Sequence, residues 1–391
     1  MLKSADNDRL ENSLKQELIL REKTINPINE RVRKLRNESQ NKEISISYER
    51  AKILTNFYKN NLKNDFPTPI KRAMAFKYLM ENVSLPVEKN QLIVGIRGTG
   101  VNKVPTFPEI CCHTLHDLEI LKSRQKNPYF VDDETKRIYE KEIIPFWNNK
   151  DIRKLVFEKM SNEWKKAYEI GVFTEFMEQR NPGHTAGDKK IFNTGLIDIK
   201  KQIIDKKKNY NSNNENEQNK IEELEAMEIV ADAIISYANR YTAKLKLLCE
   251  KEKNPNRKSE LEQMIRISQR VPAHSPRTFW EALQHYWYIH VGIVMEANPW
   301  DAFSPGRLDQ HLYPFFKEGI NNKTLTLNIT KELLQLFWLK FNNQPAPPKV
   351  GVTAVESNTY NDFSKINIGG LNKDGKDGVN DLSYIILEIL D

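Results

Sequence analysis

The sequence predicts a helix-rich α/β fold, on three observations. Apolar residues recur at helical spacing through most of the 391 residues. Runs with β-branched character are few and short, and turn-forming residues bound them. The chain is 39% hydrophobic and 29% charged, enough to bury a core for one large domain or two ordinary ones inside a polar exterior.

The elements come in this order. Residues 1–29 are polar, with a weak helical period at Leu10, Leu14 and Leu18, and read as a leader helix outside the main core formed by residues 30–391. Helices are expected over residues 29–39 and 47–61, the latter with Ala51, Leu54, Tyr58 and Leu62 on one side. Pro69 opens the next, because a missing N–H costs nothing in a first turn. Residues 91–96 (Gln-Leu-Ile-Val-Gly-Ile) predict a strand, followed by a loop punctuated by Gly95, Gly98 and Gly100. Further helices are expected at 114–122, 132–142 and 151–171. Residues 206–218 lack apolar groups and predict a polar surface excursion. A long helix over 221–253 carries Leu224, Met227, Val230, Ile234 and Ala238 on one stripe, and another over 276–295 carries Trp280, Tyr286 and Trp287. A helix at 330–342, short strands at 349–353 and 366–368, and a last helix from about 379 complete the pattern. That last helix has an apolar face of Leu382, Ile385, Ile386, Ile389 and Leu390, which predicts an exposed surface awaiting a partner.

Composition narrows the function classes. The 60 basic and 53 acidic residues give a net charge of +7, a mixed surface without a dominant basic stripe, which argues against nucleic acid. No run approaches the roughly 18 apolar residues of a membrane span, and the N-terminus shows no apolar core of a secretory signal. Cys111, Cys112 and Cys249 make no disulfide framework. The chain reads as soluble, cytoplasmic and reduced.

Three polar, aromatic-flanked segments then suggest one small-molecule site. In Thr174-Glu-Phe-Met-Glu-Gln-Arg-Asn-Pro-Gly-His-Thr185, the Pro-Gly pair forces a turn that projects His184, either as a proton donor and acceptor or as a structural histidine. In Glu296-Ala-Asn-Pro-Trp-Asp-Ala-Phe-Ser-Pro-Gly-Arg-Leu-Asp-Gln-His311, Asp301 stands beside Trp300 and Phe303, where desolvation raises a carboxylate's pKa. Ser304 and Pro305 are assigned to helix capping, and Arg307 with Asp309 to an ion pair. In Glu356-Ser-Asn-Thr-Tyr-Asn-Asp-Phe363, Ser357 can hold a carboxylate and Asp362 an ammonium, or the residues simply build a polar turn. Other arrangements are weaker. Cys111-Cys112-His113-x-x-His116 lacks a second ligand pair for a metal, and His285 and His290 are five apart on a helix. Gly95-x-x-Gly98-x-Gly100 lacks the grammar of a phosphate loop, and no serine nucleophile elbow occurs.

Taken together, these segments resemble glycyl radical enzymes of the pyruvate formate-lyase superfamily. The resemblance rests on Glu175-Phe-Met-Glu-Gln-Arg180 running into Pro182-Gly-His-Thr185, and on Trp300-Asp-Ala-Phe303 with Pro305-Gly-Arg-Leu-Asp-Gln-His311. It also rests on Pro108-Glu-Ile-Cys-Cys-His113, on Lys340-Phe-Asn-Asn-Gln-Pro-Ala-Pro-Pro-Lys-Val350, and on the third segment through Ile368-Gly-Gly370. Within that superfamily the motifs are most similar to the trans-4-hydroxy-L-proline dehydratases. The resemblance covers about residues 30–391 and implies a ten-stranded α/β barrel of two five-stranded halves wrapped in helices, of which this chain is the N-terminal half. It implies a glycyl radical installed by a radical S-adenosylmethionine activase, and a cysteine thiyl that takes hydrogen from substrate. It implies further that Phe176 and Phe363 wall the pocket, that His184 and Asp301 bond substrate and assist proton movement as hydroxide leaves, and that Ser357 and Asp362 meet the substrate carboxylate and amine. The implied substrate is small and amino-acid-like.

The departure is as informative. These 391 residues hold no Gly-Cys-x-Glu thiyl loop and no Arg-Val-x-Gly-Tyr radical loop. The chain therefore reads as a truncated member, inactive unless a second polypeptide completes the barrel. Alternative readings are half of a choline lyase, a glycerol or diol dehydratase or a formate acetyltransferase, or a non-catalytic remnant that binds a partner or a small amino acid. A homodimer stays open.

Overall fold

The computed structural model describes residues 29–173, 188–212, 214–297, 304–349, 355 and 364–390. The leader 1–28 lies outside them. The fold is a helix-rich α/β arrangement with few strands. In chain order it runs α1 (Glu30–Asn41), β1 (Ser45–Ser47), α2 (Glu49–Asn60), α3 (Thr68–Asn82), β2 (Lys103–Pro105), α4 (Leu115–Ser123), α5 (Asp133–Ile138), a π turn (Tyr139–Ile143) and α6 (Ile144–Trp147). It continues with α7 (Ile152–Lys159), α8 (Asn162–Glu169), α9 (Asp188–Asn193), α10 (Leu196–Lys207), α11 (Glu215–Lys251), α12 (Pro255–Arg270), α13 (Phe279–Ala297), α14 (Leu308–Asn321), α15 (Leu327–Asn342) and α16 (Asp381–Glu388).

Local chemistry sets most boundaries. Thr114 and Asp117 cap α4 reciprocally, and Asn254 with Pro255 opens α12, which periodicity does not single out. The expected helix over 151–171 is two helices, because Ser161 accepts from the Trp164 N–H and starts α8 anew. Pro145 removes an N–H at the start of α6, next to the π turn. The described residues of the polar run at 206–218 include the end of α10 and the start of α11.

Two apolar clusters organise the packing. The larger gathers Phe76, Tyr237, Trp287 and Phe337 from α3, α11, α13 and α15. The smaller gathers Ile46, Val104, Tyr129, Tyr139 and Trp147 around the parallel pair β1–β2. Phe130 adds a parallel bridge to Ser45 on the other side of β1.

Residues 91–96 are not a strand. They are a buried, irregular stretch whose backbone bonds to side chains distant in sequence. Gln284 accepts from the Val94 N–H and donates to its carbonyl, both at 2.9 Å. Trp280 and Trp287 donate to the carbonyls of Leu92 and Gly95, each at 2.9 Å. Gln344 accepts from the Arg97 N–H at 2.8 Å. The β-branched run buries itself as expected of a strand, but its pairing partners are side-chain amides, indoles and the Tyr237 hydroxyl. Gln284→Leu should leave one buried donor and one buried acceptor at Val94 unpaired, costing roughly 3 kcal/mol. A lowered urea midpoint with an unchanged slope would show it, and a midpoint equal to the parent's would refute it.

The last helix also departs from expectation. Leu382, Ile385 and Ile386 are buried, and α16 packs against α14 and α15 of the same chain. The outward residues are Tyr384, Leu387 and Leu390. The apolar face thus finds most of its cover within this chain. A denser outward apolar group lies on α7 and α8 and just beyond, at Leu155, Trp164, Ile170 and Val172.

Candidate functional site

Phe176 and His184, Asp301, and Ser357, Asp362 and Phe363 all lie outside the described residues, as do Trp300, Phe303 and Tyr360. The structure describes the chain on either side of each of the three segments, and these flanks meet in two places.

The chain leading towards the three segments is anchored at and beside the turn at residues 106–113. It is closed by the N–H groups of Ile110 and Cys111, which both donate to the Phe107 carbonyl. The main chain at the start of α7, which leads through α8 towards the first segment, docks on this turn. Ile152 donates to the Glu109 carbonyl at 3.2 Å and Arg153 to the Ile110 carbonyl at 2.9 Å. Asp151 accepts from the Cys112 N–H at 3.0 Å. The end of α13, which leads to Asp301, is bound through Arg50: its Nε donates to the Met295 carbonyl at 2.7 Å and its Nη2 to Glu109 at 2.6 Å. The run before the third segment lies beside the ring of His113, next to the backbone of Pro348 and Lys349. Arg97 and Tyr129 hold the same run by donating to the carbonyls of Pro345, at 2.6 Å, and Ala346, at 2.7 Å.

The trailing flanks meet around α14. Gly306 and Leu308 exchange main-chain hydrogen bonds with Asn367, at 3.1 and 3.0 Å. Asp309 accepts from the Gly369 N–H at 2.7 Å and from the Ser383 hydroxyl. Gln310 donates to the Gly369 carbonyl at 2.7 Å. Phe192 of α9, just after the first segment, stacks on His311 of α14 with centroids 5.4 Å apart. Stretches before and after the three segments, far apart in sequence, are therefore tied together at the 106–113 turn and around α14.

Two expectations need correction here. Asp309 does not pair with Arg307; it is buried and serves main-chain and hydroxyl donors, while Arg307 donates to the Leu371 carbonyl. Ser304 and Pro305 do not cap a helix, because α14 begins at Leu308 with Arg307 at its cap position and no side-chain cap bond. The chain between them bridges to Asn367 instead.

Burial sets the protonation of two side chains in the 106–113 turn. Burial pushes His113 down to about 4, with Asp117 partly opposing, so its ring is neutral near pH 7. Burial, then Asp151 and Asp117, push the Cys112 thiol up to about 12, which keeps it protonated near pH 7. Among the described residues no cluster of three or more His, Cys, Asp or Glu side chains could hold a metal ion. No described helix is long and apolar enough to cross a membrane. A cavity of about 400 Å³ opens beside the turn, with Tyr58 and Trp147 among its walls and the pairs Arg50–Glu109 and Arg72–Glu296 lining it.

Sequence reasoning did not find Arg50 or the tie between Asp309 and Gly369. A signal existed for the first: Arg50 shares the buried face of α2 with Ala51 and Leu54, where an unpaired charge is costly.

Known proteins resemble this chain along most of its length. The curated trans-4-hydroxy-L-proline dehydratase of Clostridioides difficile is 46% identical over 363 residues, 93% of this chain and 46% of the relative. The (2S)-3-sulfopropanediol dehydratase of Klebsiella oxytoca is 29% identical, over 92% of this chain and 44% of the relative. The crystal structure of the C. difficile hydroxyproline dehydratase with trans-4-hydroxy-L-proline bound superposes with a TM-score of 0.89 at 45% identity, covering 93% of this chain and 46% of that one. The glycerol-bound B12-independent glycerol dehydratase of Clostridium butyricum gives 0.86 at 26% identity, covering 94% of this chain and 46% of that one. The chain thus spans about half the length of the curated relatives it matches. The pyruvate formate lyase-like family profile matches residues 24–391, and the chain belongs to that family.

Proposed function

We propose that residues 30–391 are the substrate-holding N-terminal half of a glycyl radical dehydratase that converts trans-4-hydroxy-L-proline to pyrroline-5-carboxylate and water. The observation that carries this reading is the 46% identity to the C. difficile dehydratase over 93% of this chain, well above the 29% to a dehydratase of another substrate. The shared delivery of the three segment flanks supports it, since a zwitterionic amino acid needs donors and an acid from several directions at once. The glycyl radical and the cysteine thiyl, both outside these 391 residues and dependent on a radical S-adenosylmethionine activase, supply hydrogen removal beside the ring nitrogen.

This chain's residues do the rest. Ser357 donates to the substrate carboxylate, and Asp362 accepts from the ring ammonium. His184 and Asp301 hold the 4-hydroxyl and deliver the proton that lets it leave as water. Phe176 and Phe363 exclude bulk water from the radical's surroundings. The part of the barrel outside these 391 residues closes the site, in a reducing cytoplasm.

The test is reconstitution. This chain is co-expressed with the C-terminal half of the C. difficile dehydratase and activated anaerobically. Hydroxyproline is expected to stabilise the pair by about 2.7 kcal/mol at 100 times its Kd, with choline, glycerol and pyruvate giving no shift. His184→Ala and Asp301→Ala should each lower turnover by about 100-fold or more. The 391-residue chain alone should form no product. Product from it alone, or protection by one of the other ligands, overturns the reading. The second reading is a non-catalytic binder of a small amino acid. A coding sequence beyond codon 391 that carries the Gly-Cys-x-Glu motif decides against it.

A further inference from the structure

Arg50 lies at the start of α2 with 2% of its surface exposed. Its guanidinium joins three separate parts of the chain. Nε donates to the Met295 carbonyl at 2.7 Å. Nη1 donates to the Thr106 carbonyl at 3.1 Å and to Glu109 Oε2 at 3.2 Å, and Nη2 to Glu109 Oε1 at 2.6 Å. Its flat face rests on the Phe107 ring, 3.7 Å from the centroid. Met295 belongs to the last turn of α13, where a helix leaves its final carbonyls without intrahelical donors. A cation there is favoured by the helix dipole as well as by the bond.

We propose that Arg50 is a positioning residue. It holds the end of α13 in register with the 106–113 turn, and so with the start of α7, which docks on the same turn through Ile152 and Arg153. Two walls of the substrate site thereby keep a fixed spacing. The inference rests on the reading that these walls serve one site.

The chemistry selects arginine. Four N–H bonds leave one planar group towards a helix end, a turn carbonyl and both oxygens of a carboxylate. A lysine ammonium in the same place keeps the charge but cannot reach Met295 and both Glu109 oxygens together. Filling space alone would not require this fork, because the neighbouring Ala51 and Leu54 already build the apolar face.

The experiment is hydrogen exchange on the 391-residue chain, read beside hydroxyproline affinity of the reconstituted pair. Arg50→Lys is expected to speed exchange at least tenfold in peptides spanning residues 293–309 and 150–160, with α11 and α12 unchanged. Lys340→Met, which removes another buried cation elsewhere, should leave those two peptides at parental rates. Hydroxyproline affinity should weaken at least tenfold in Arg50→Lys only. If Arg50→Lys does not fold, Glu109→Gln keeps the shape of the carboxylate and should loosen the same two peptides. A rise spread evenly over the chain, no local change, or local loosening with unchanged affinity overturns the proposal. Failure of the parent pair to bind hydroxyproline sinks the functional reading instead, and the exchange pattern still decides whether Arg50 sets the register.

Discussion

Replacing Lys340 with methionine is expected to stabilise the folded chain by roughly 4 kcal/mol at neutral pH, because it removes a buried ammonium while keeping a chain of similar length. Lys340 is 4% exposed on α15, its ammonium 5.6 Å from the centre of the Trp287 ring. Burial lowers its pKa from 10.5 to about 7, with Glu88 partly opposing. Between those two values the unfolded chain binds a proton that the folded chain does not, so stability rises with pH through that window. Below it, both states carry the proton and the full cost of burying it remains. The gain from Lys340→Met should therefore be largest at and below about pH 7 and vanish near about pH 10. Urea midpoints of the two proteins at about pH 6, 8 and 10 would measure it. A gap that does not change with pH would mean that packing, not charge, distinguishes them.

Asp309→Ala is expected to cost roughly 3–5 kcal/mol, because it leaves the Gly369 N–H and the Ser383 hydroxyl buried without their acceptor. The loss should concentrate where α14, the 364–371 stretch and α16 are tied together. Exchange in 364–371 is predicted to rise more than in α11. Asp309→Asn keeps one acceptor oxygen and should lose only about half as much. A double-mutant cycle with Ser383→Ala isolates the pair, and the two losses should sum to more than the double variant shows. A penalty near 0.5 kcal/mol for Asp309→Ala, the size expected at an ordinary surface position, would rule out its structural role.

The helices were legible because burial imposes a period, and α2, α3, α11, α13 and α15 all carry it. The α10 and α12 helices were missed, although Asn254 and Pro255 spell a helix start. Residues 91–96 were legible as buried but not in their pairing, because nothing local indicates that Gln284, Trp287 and Gln344 will stand in for a neighbouring strand. Lys340 was legible in hindsight from the stripe Leu333, Phe337 and Lys340, where the period puts a charge inside. For the site, sequence motifs chose the three segments, and the structure adds that their flanks converge. It could not have been inferred from spacing that Arg50 and the 106–113 turn bring two of those flanks together.

The buried stretch at 91–97 has a consequence on the ribosome. Its hydrogen-bonding partners from α13 onwards are made 188 to 247 residues later. At about 5–20 residues per second that is a delay of roughly 10–50 seconds, during which Leu92, Ile93 and Val94 have nothing from α13 to cover them. The nascent chain carries this apolar tract without its α13 cover until α13 emerges, which makes it an expected point of chaperone contact and of aggregation when translation slows.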